Sequence, residues 1–382
     1  MRMKNNNSTA SNALFLRPKE WIATFILVTF IFIGLPIISK NSNQIYDSNY
    51  RIPYQLSNDY WSYTKLTSQL SERKIPVIGD SVIWGEYVDE NSSLSHFLSD
   101  LSDVNFTNAG MNGLYPLALE GLVKNYAKSI KKRKVILHLN LLWMSSPERD
   151  LSTTKEQTFN HPQLIPQITR EVPSYHATTE KRLSRFAANS LPFLSFVKHI
   201  KENHFSQRSP AEWTCLQSEA NPEKYPNSYL NPLNHLLSTG PLSTKDKLNL
   251  SIKDIERGVD SPRHKPWSGS QRSLDWISLE NSLQWNAFKN LSTELISRSN
   301  DLFVLIGPLN NHMFNKMTTS KANQLRDEAS EWLKSMHIDH WSPDPLPSNH
   351  YADASHPLTH GYEMLAKELL KNKSFTDWLQ SR

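Results

Sequence analysis

Apolar and polar positions divide this chain into three kinds of sequence. The first is a continuous apolar run, Trp21 to Ile38 (WIATFILVTFIFIGLPII), eighteen positions without a charge. A run of that length can cross a bilayer core as a helix. The second kind alternates short apolar runs with segments of helical period, and it occupies both flanks of the middle. The third is the middle itself, about residues 145–275, rich in Pro, Asn and Ser and weak in any period.

The alternating regions predict a series of elements. A helix is expected from Tyr60 to Arg73, then a buried strand at Ile75-Pro76-Val77-Ile78 that ends at Gly79. A helix from Ser93 to Leu101 and a strand at Val104–Thr107 follow. Leu117 to Lys131 predicts an amphipathic helix, with Leu119, Leu122, Val123 and Tyr126 on one face. Val135–Leu139 is the third strand. The pattern resumes with a helix over Ile277–Ser297, a strand at Leu302–Ile306, a helix over Lys321–Met336, a strand at Ile338–Trp341 and a helix over Leu358–Leu370. Pro357 suits the first position of that last helix, where a missing N–H is no loss. Strands alternating with helices through short links predict an α/β fold, a parallel sheet with helices on both faces. The middle reads as an insertion on the loop edge of the sheet, helical at Leu183–Ile200, of the kind that shapes substrate access.

Charge orients the apolar run. Arg2, Lys4, Arg17 and Lys19 precede it, and the positive-inside bias puts them in the cytoplasm. A cleaved signal peptide would carry a shorter apolar stretch, about 7–15 residues, and a small-residue cleavage site; Ser39-Lys40-Asn41-Ser42 follows instead. The expected layout is a cytoplasmic N-terminus (1–20), one uncleaved transmembrane helix (21–38), a polar tether (39–59) and a single α/β domain (60–382) outside the inner membrane. The chain of 382 residues is 38% apolar, with a mean hydropathy of −0.54, and the deficit lies mostly in the middle. Cys215 is the only cysteine, which rules out an internal disulfide and a thiolate metal cluster. The net charge of +5 is mild. Its densest run, Lys128, Lys131, Lys132, Arg133 and Lys134, reads as a solvated helix end favoured by the dipole. No aromatic interleaving accompanies it, so no nucleic-acid partner is expected.

Two short motifs carry chemistry. Gly79-Asp80-Ser81 falls where the first strand ends and a helix begins, and ligands of open α/β sheets bind at the carboxyl ends of strands. Asp353-Ala354-Ser355-His356 falls just before the last predicted helix. A hydroxyl needs an adjacent base to become nucleophilic. His356 can supply it through Nε2, and Asp353, three residues away, can fix the imidazole through Nδ1. Asp80 is expected to bond backbone, with no chemical role. The Asn108-Ala109-Gly110-Met111-Asn112-Gly113 turn after the second strand has two glycines that let backbone N–H groups approach a substrate. The Gly-x-Ser-x-Gly elbow of α/β-hydrolases is absent around Ser81.

These blocks, in this order and these strand contexts, resemble the SGNH (GDSL-like) hydrolase superfamily. The resemblance rests on Gly79-Asp80-Ser81, on Asn108–Gly113 and on Asp353–Pro357 with Gly361. It covers residues 75–145 and 300–372. It implies a flavodoxin-like sheet, Ser81 as nucleophile, His356 as base and Asp353 as its orienter, with the Ser81 and Gly113 N–H groups as oxyanion donors. It also implies acyl or acetyl esters as substrates, including those on carbohydrates. The third block departs from the family's Gly-x-Asn-Asp: here it is Leu139-Asn140-Leu141-Leu142-Trp143. Asn140 is a candidate third oxyanion donor or an Asn that satisfies loop backbone; Asn310 and Asn311 are rivals.

Other clusters are weaker. His356 and His360 have the i, i+4 spacing of a zinc pair but lack the following Glu, and no metal or cofactor is expected. Trp213, Trp267, Trp276 and Trp285 are candidates for sugar stacking or for packing. The expectation is a membrane-anchored serine esterase or O-acyltransferase acting on an acylated envelope carbohydrate. The alternative is a non-catalytic binding or assembly protein of an envelope polymer system on the same scaffold.

Overall fold

The computed structural model describes residues 17–41, 50–53, 56–147, 150, 161–165, 178–204 and 265–381. It divides into two units, Met1–Ser42 and Asn43–Arg382. The first contains one helix, α1 (Pro18–Asn41), of 24 residues, long and apolar enough to cross a membrane. It outruns the apolar stretch at both ends. Pro18 opens it, and the Glu20 carboxylate accepts the Arg17 N–H. A π turn at Phe30–Gly34 precedes Pro36. That proline would clash with the carbonyl four residues back in a regular turn, so the helix widens there.

The second unit is an α/β layer structure. Its strands are β1 (Lys74–Gly79), β2 (Asn105–Gly110), β3 (Lys134–Leu139), β4 (Asp301–Ile306) and β5 (Asp339–Trp341). All pair in parallel, in the order β2-β1-β3-β4-β5. This is the doubly wound order 2-1-3-4-5, in which the winding reverses between β1 and β3 and opens a crevice at their carboxyl ends. The expected five strands are present, each within a few residues of its predicted place.

Period-2 alternation explains the two layers. Val135, Leu137 and Leu139 of β3 and Leu302, Val304 and Ile306 of β4 belong to one core. Ile136, Phe303 and Leu305 belong to the other. Both faces are apolar because both carry helices. Over the first face lie α2 (Tyr60–Ser68), and later in the chain α5 (Pro116–Tyr126), α8 (Leu283–Ser297) and α9 (Lys316–Ser335). Over the second lie α3 (Ser81–Trp84), α4 (Leu94–Asp100), α10 (Thr359–Lys371) and α11 (Lys373–Gln380). In the insertion, α6 (Thr179–Ser190) and α7 (Pro192–His204) replace one expected helix, broken at Leu191-Pro192.

Several expectations need correction. Pro357 does not begin α10; it pairs in a bridge with Tyr351, and Leu358 is the N-cap. One helix was not expected: α11 follows α10 and buries Phe375 and Trp378 on the second face at helical spacing. The polar tether is shorter than 39–59, because Tyr50, Ile52 and Leu56 are core residues. Lys134 is not a solvated end: its ammonium donates to Asp301 Oδ2 and the Trp378 carbonyl. Trp276 and Trp285 are buried packing residues and Trp267 packs against the same core, while Trp213 and Cys215 lie outside the described residues.

Arg51, expected in the tether, is instead 2% exposed. Its guanidinium donates to the carbonyls of Trp84 (2.9 Å), Gly85 (2.6 Å) and Val88 (2.8 Å), and lies over the Trp84 ring. It therefore clamps the turn that follows α3. Arg51→Ala is expected to destabilise the domain by about 3 kcal/mol, because three charge-assisted bonds are lost in a buried place. Arg51→Lys should recover only part, since a single ammonium cannot span three carbonyls. Urea midpoints of the detergent-solubilised chain check both.

Candidate active site

Ser81 is the first residue of α3, and Asp80 is its N-cap, with Asp80 Oδ1 accepting the Val82 N–H at 3.0 Å. The helix lasts four residues and ends at Gly85, where φ is +88°. Its close contact with β2 depends on Gly110: a Cβ there would stand 2.4 Å from the Trp84 nitrogen. Asn108 ties the same pair together, donating from Nδ2 to the Ile83 and Trp84 carbonyls.

Asp353 and His356 reach the same edge from the loop before α10. The Asp353 carboxylate accepts the backbone N–H groups of Ser355 and His356, both at 3.0 Å. Asn310, expected as a rival oxyanion donor, holds this loop: its N–H donates to the Ala354 carbonyl and its Nδ2 to the Asp353 carbonyl. His356 Nδ1 lies 2.8 and 2.9 Å from the two Asp353 oxygens, and His356 Nε2 lies 2.8 Å from Ser81 Oγ. A carboxylate, an imidazole and a hydroxyl thus form one hydrogen-bonded line, in which the imidazole and the hydroxyl come from positions 275 apart in sequence. Tyr87 packs its ring edge-on against the imidazole.

Asp80 does more than cap. Its Oδ2 also accepts from Asn140 Nδ2 at 2.8 Å and Trp143 Nε1 at 2.9 Å, and His138 Nδ1 lies 3.2 Å from Oδ1. This buried hub joins the ends of β1 and β3. It also settles where Asn140 points. One amide hydrogen serves Asp80, the other is directed at Ser355 Oγ (3.4 Å), and Oδ1 accepts the Leu142 N–H. Gly113 adopts φ +80°, the left-handed turn that glycine favours. Its neighbour Asn112 has its carbonyl bonded by His161 Nε2 at 2.6 Å, and its buried Nδ2 has no partner among the described residues. Asn311 lies in a short 3₁₀ turn beside a small pocket of about 30 Å³ lined by Leu141, Ile306 and Arg326. His360 is exposed and faces Glu363, so it shares no site with His356.

Glu86 is a site residue that no sequence motif marked. Its carboxylate is buried, and Oε2 stands 3.7 Å from His356 Nε2, on the side of Ser81. The turn at Gly85 and Tyr87 (φ +88° and +70°) brings it back over the site, and the Glu86 N–H bonds the Ser81 carbonyl. No periodicity marks such a turn; the Gly after Trp84 was the one local signal.

Charge shifts follow from this geometry. Burial would push the His356 imidazole down, but Asp353, Glu86 and Asp80 around it outweigh burial and raise it to about 9. Burial would push Asp353 up, but the His356 charge and its hydrogen bonds bring it down to about 2. Asp80 stays below the ordinary carboxylate value, because His138, Asn140 and His356 overcome its burial. Burial lowers His161 to about 4, so it is neutral near pH 7, its Nε2–H donating to Asn112 and its Nδ1 accepting from the Tyr60 hydroxyl.

No protein-family model matches the chain, and no curated protein matches it.

An imidazole acts as a base only when neutral. Any reaction that needs His356 to take the Ser81 proton should therefore speed up as pH rises and level off above about 9. Asp353→Asn removes the charge that does most to raise the imidazole. The midpoint should then move to lower pH, and the plateau should fall on the order of 10³–10⁴-fold with the loss of the orienting carboxylate. The pH dependence of Ser81 modification by a fluorophosphonate reads both.

Proposed function

We propose that this chain is a serine esterase or O-acyltransferase of the SGNH type, anchored by α1. The observation that carries the reading is the continuous line from Ser81 Oγ through His356 to Asp353 at the carboxyl edge of a doubly wound sheet. Ser81 attacks the acyl carbonyl while His356 Nε2 takes its proton, and Asp353 stabilises the imidazolium that forms. The leaving alcohol receives that proton, and the acyl group remains on Oγ. Water or a hydroxyl then takes the acyl group by the reverse path.

The oxyanion needs donors at the edge of the same crevice. Ser81 N–H is in the first turn of α3, where amides have no partner within the helix. Gly113 N–H lies in the turn after β2, three residues beyond Gly110, which pairs with Gly79 in strand register. Asn140 is not the third donor in this reading, because its amide serves Asp80. Asn112 Nδ2 is a better candidate, as a buried donor in the Gly113 turn.

The substrate class is an acyl ester, and α1, long and apolar enough to cross a membrane, supports a membrane location. With Arg17 and Lys19 before α1, the α/β domain faces the extracytoplasmic side. An acetylated or otherwise acylated carbohydrate of the cell envelope fits that location. A second reading, a non-catalytic binding or assembly protein on the SGNH scaffold, is favoured by the commitment of Asn140 to Asp80.

One experiment separates the two. Ser81→Ala should reduce turnover of p-nitrophenyl acetate by at least about 10³-fold and abolish fluorophosphonate labelling. A folded wild-type chain that neither turns over the ester nor takes the label would sink the enzyme reading.

A further inference from the structure

Glu86 adds a constraint that a plain Ser-His-Asp line lacks. Once Ser81 Oγ carries the acyl group, Nε2 of His356 must receive a proton from the second nucleophile. Glu86 Oε2 is only 3.7 Å from that nitrogen. An oxygen at hydrogen-bond distance from both atoms, about 2.8 Å from each, is therefore possible. The angle it subtends is somewhat smaller than that between the two O–H bonds of water, well within hydrogen-bond tolerance. Water has two protons to give, one to each acceptor. An alcohol has one, so it can serve Nε2 or the carboxylate but not both, and an ionised carboxylate only accepts.

The turn that presents Glu86 is built for the purpose at some cost. Tyr87 holds φ +70°, a left-handed conformation that is unfavourable for a non-glycine residue. Arg51 underneath binds the carbonyls of residues 84, 85 and 88, fixing the turn from both sides. The Glu86 N–H bonds the Ser81 carbonyl at 3.0 Å, which locks the carboxylate's backbone to that of the nucleophile. Strain of this kind persists where surrounding contacts over-determine it, and it gathers at functional sites.

We propose that Glu86 is a fourth catalytic residue, which holds the deacylating water against His356 and so favours hydrolysis over transfer to an alcohol. This rests on the acyl-transfer reading of Ser81 given above. In the step itself, the water oxygen bonds the acyl carbon while one of its protons passes to Nε2. The other proton stays hydrogen-bonded to the Glu86 carboxylate. The bond from the acyl carbon to Ser81 Oγ then breaks, and the Nε2 proton returns to Oγ. A carboxylic acid leaves, and the free site is restored. Glu86 is unchanged throughout.

The test separates acylation from deacylation in the detergent-solubilised full chain, with p-nitrophenyl acetate followed by stopped flow. Glu86→Ala should slow steady-state turnover on the order of 10–100-fold while acylation slows much less. The variant should then release a burst of nitrophenol, and intact mass should find the acetyl group on Ser81. Glu86→Gln keeps an accepting oxygen without the charge and should fall between the two. With glycerol present, the share of acetyl carried to glycerol should rise in both variants relative to wild type. Acylation and turnover falling together in both variants, or an unchanged glycerol share, would overturn the role of Glu86. A wild-type chain that forms no acyl-Ser81 and takes no fluorophosphonate label would overturn the acyl-transfer reading beneath it.

Discussion

The arrangement depends on one buried carboxylate. Asp80 lies at the junction where the chain leaves β1 and starts α3, and an ionised group there must be fully bonded or it costs several kcal/mol. Its partners come from two directions. The Val82 N–H belongs to the new helix, while Asn140, Trp143 and His138 belong to the end of β3 and the turn after it. Satisfying one side chain therefore fixes the direction of α3 and its spacing from the neighbouring strand. Ser81, the next residue, inherits that placement. The same requirement explains why Asn140 departs from the role its position suggested: one of its amide hydrogens is held by the buried charge, and the other is directed at Ser355 Oγ.

Around the imidazole the balance of charge is unusual. Asp353 meets Nδ1, Glu86 stands off Nε2, and Asp80 lies close behind. Three carboxylates beside one titratable base favour the imidazolium, and burial is too weak to reverse it. Backbone N–H groups of Ser355 and His356 stabilise the Asp353 carboxylate, while the Arg51 guanidinium bonds the carbonyls of the turn that carries Glu86. Stability of the imidazolium follows the raised value: it is fully present below the ordinary histidine range and is lost as pH climbs through about 9.

Much of this could be read from sequence, for definite reasons. The strands were legible because Val135–Leu139 and Leu302–Ile306 are short apolar runs buried on both faces. The line of Ser81, His356 and Asp353 was legible because each lies beside an element end that pattern alone locates. Three things were not. Arg51 looked like tether because nothing local distinguishes a cation that binds three carbonyls from a solvated one. Glu86 carried no signal because its placement comes from positive φ at Gly85 and Tyr87, which period cannot express. The second use of Asp80 depends on donors about sixty residues away.

The segment from Asp80 to Val88 breaks local rules at several points. It buries two carboxylates, ends a helix after one turn, and holds a tyrosine at positive φ. Sequences that specify a fold agree across levels, and departures concentrate where function requires them. The Glu86 carboxylate stands 3.7 Å from His356 Nε2 whatever else it bonds, and under the acyl-transfer proposal that is the edge of the imidazole where a proton moves. The same short turn that starts at the nucleophile therefore returns a second charged group to it, and Arg51 fixes that return through the carbonyls of Trp84, Gly85 and Val88.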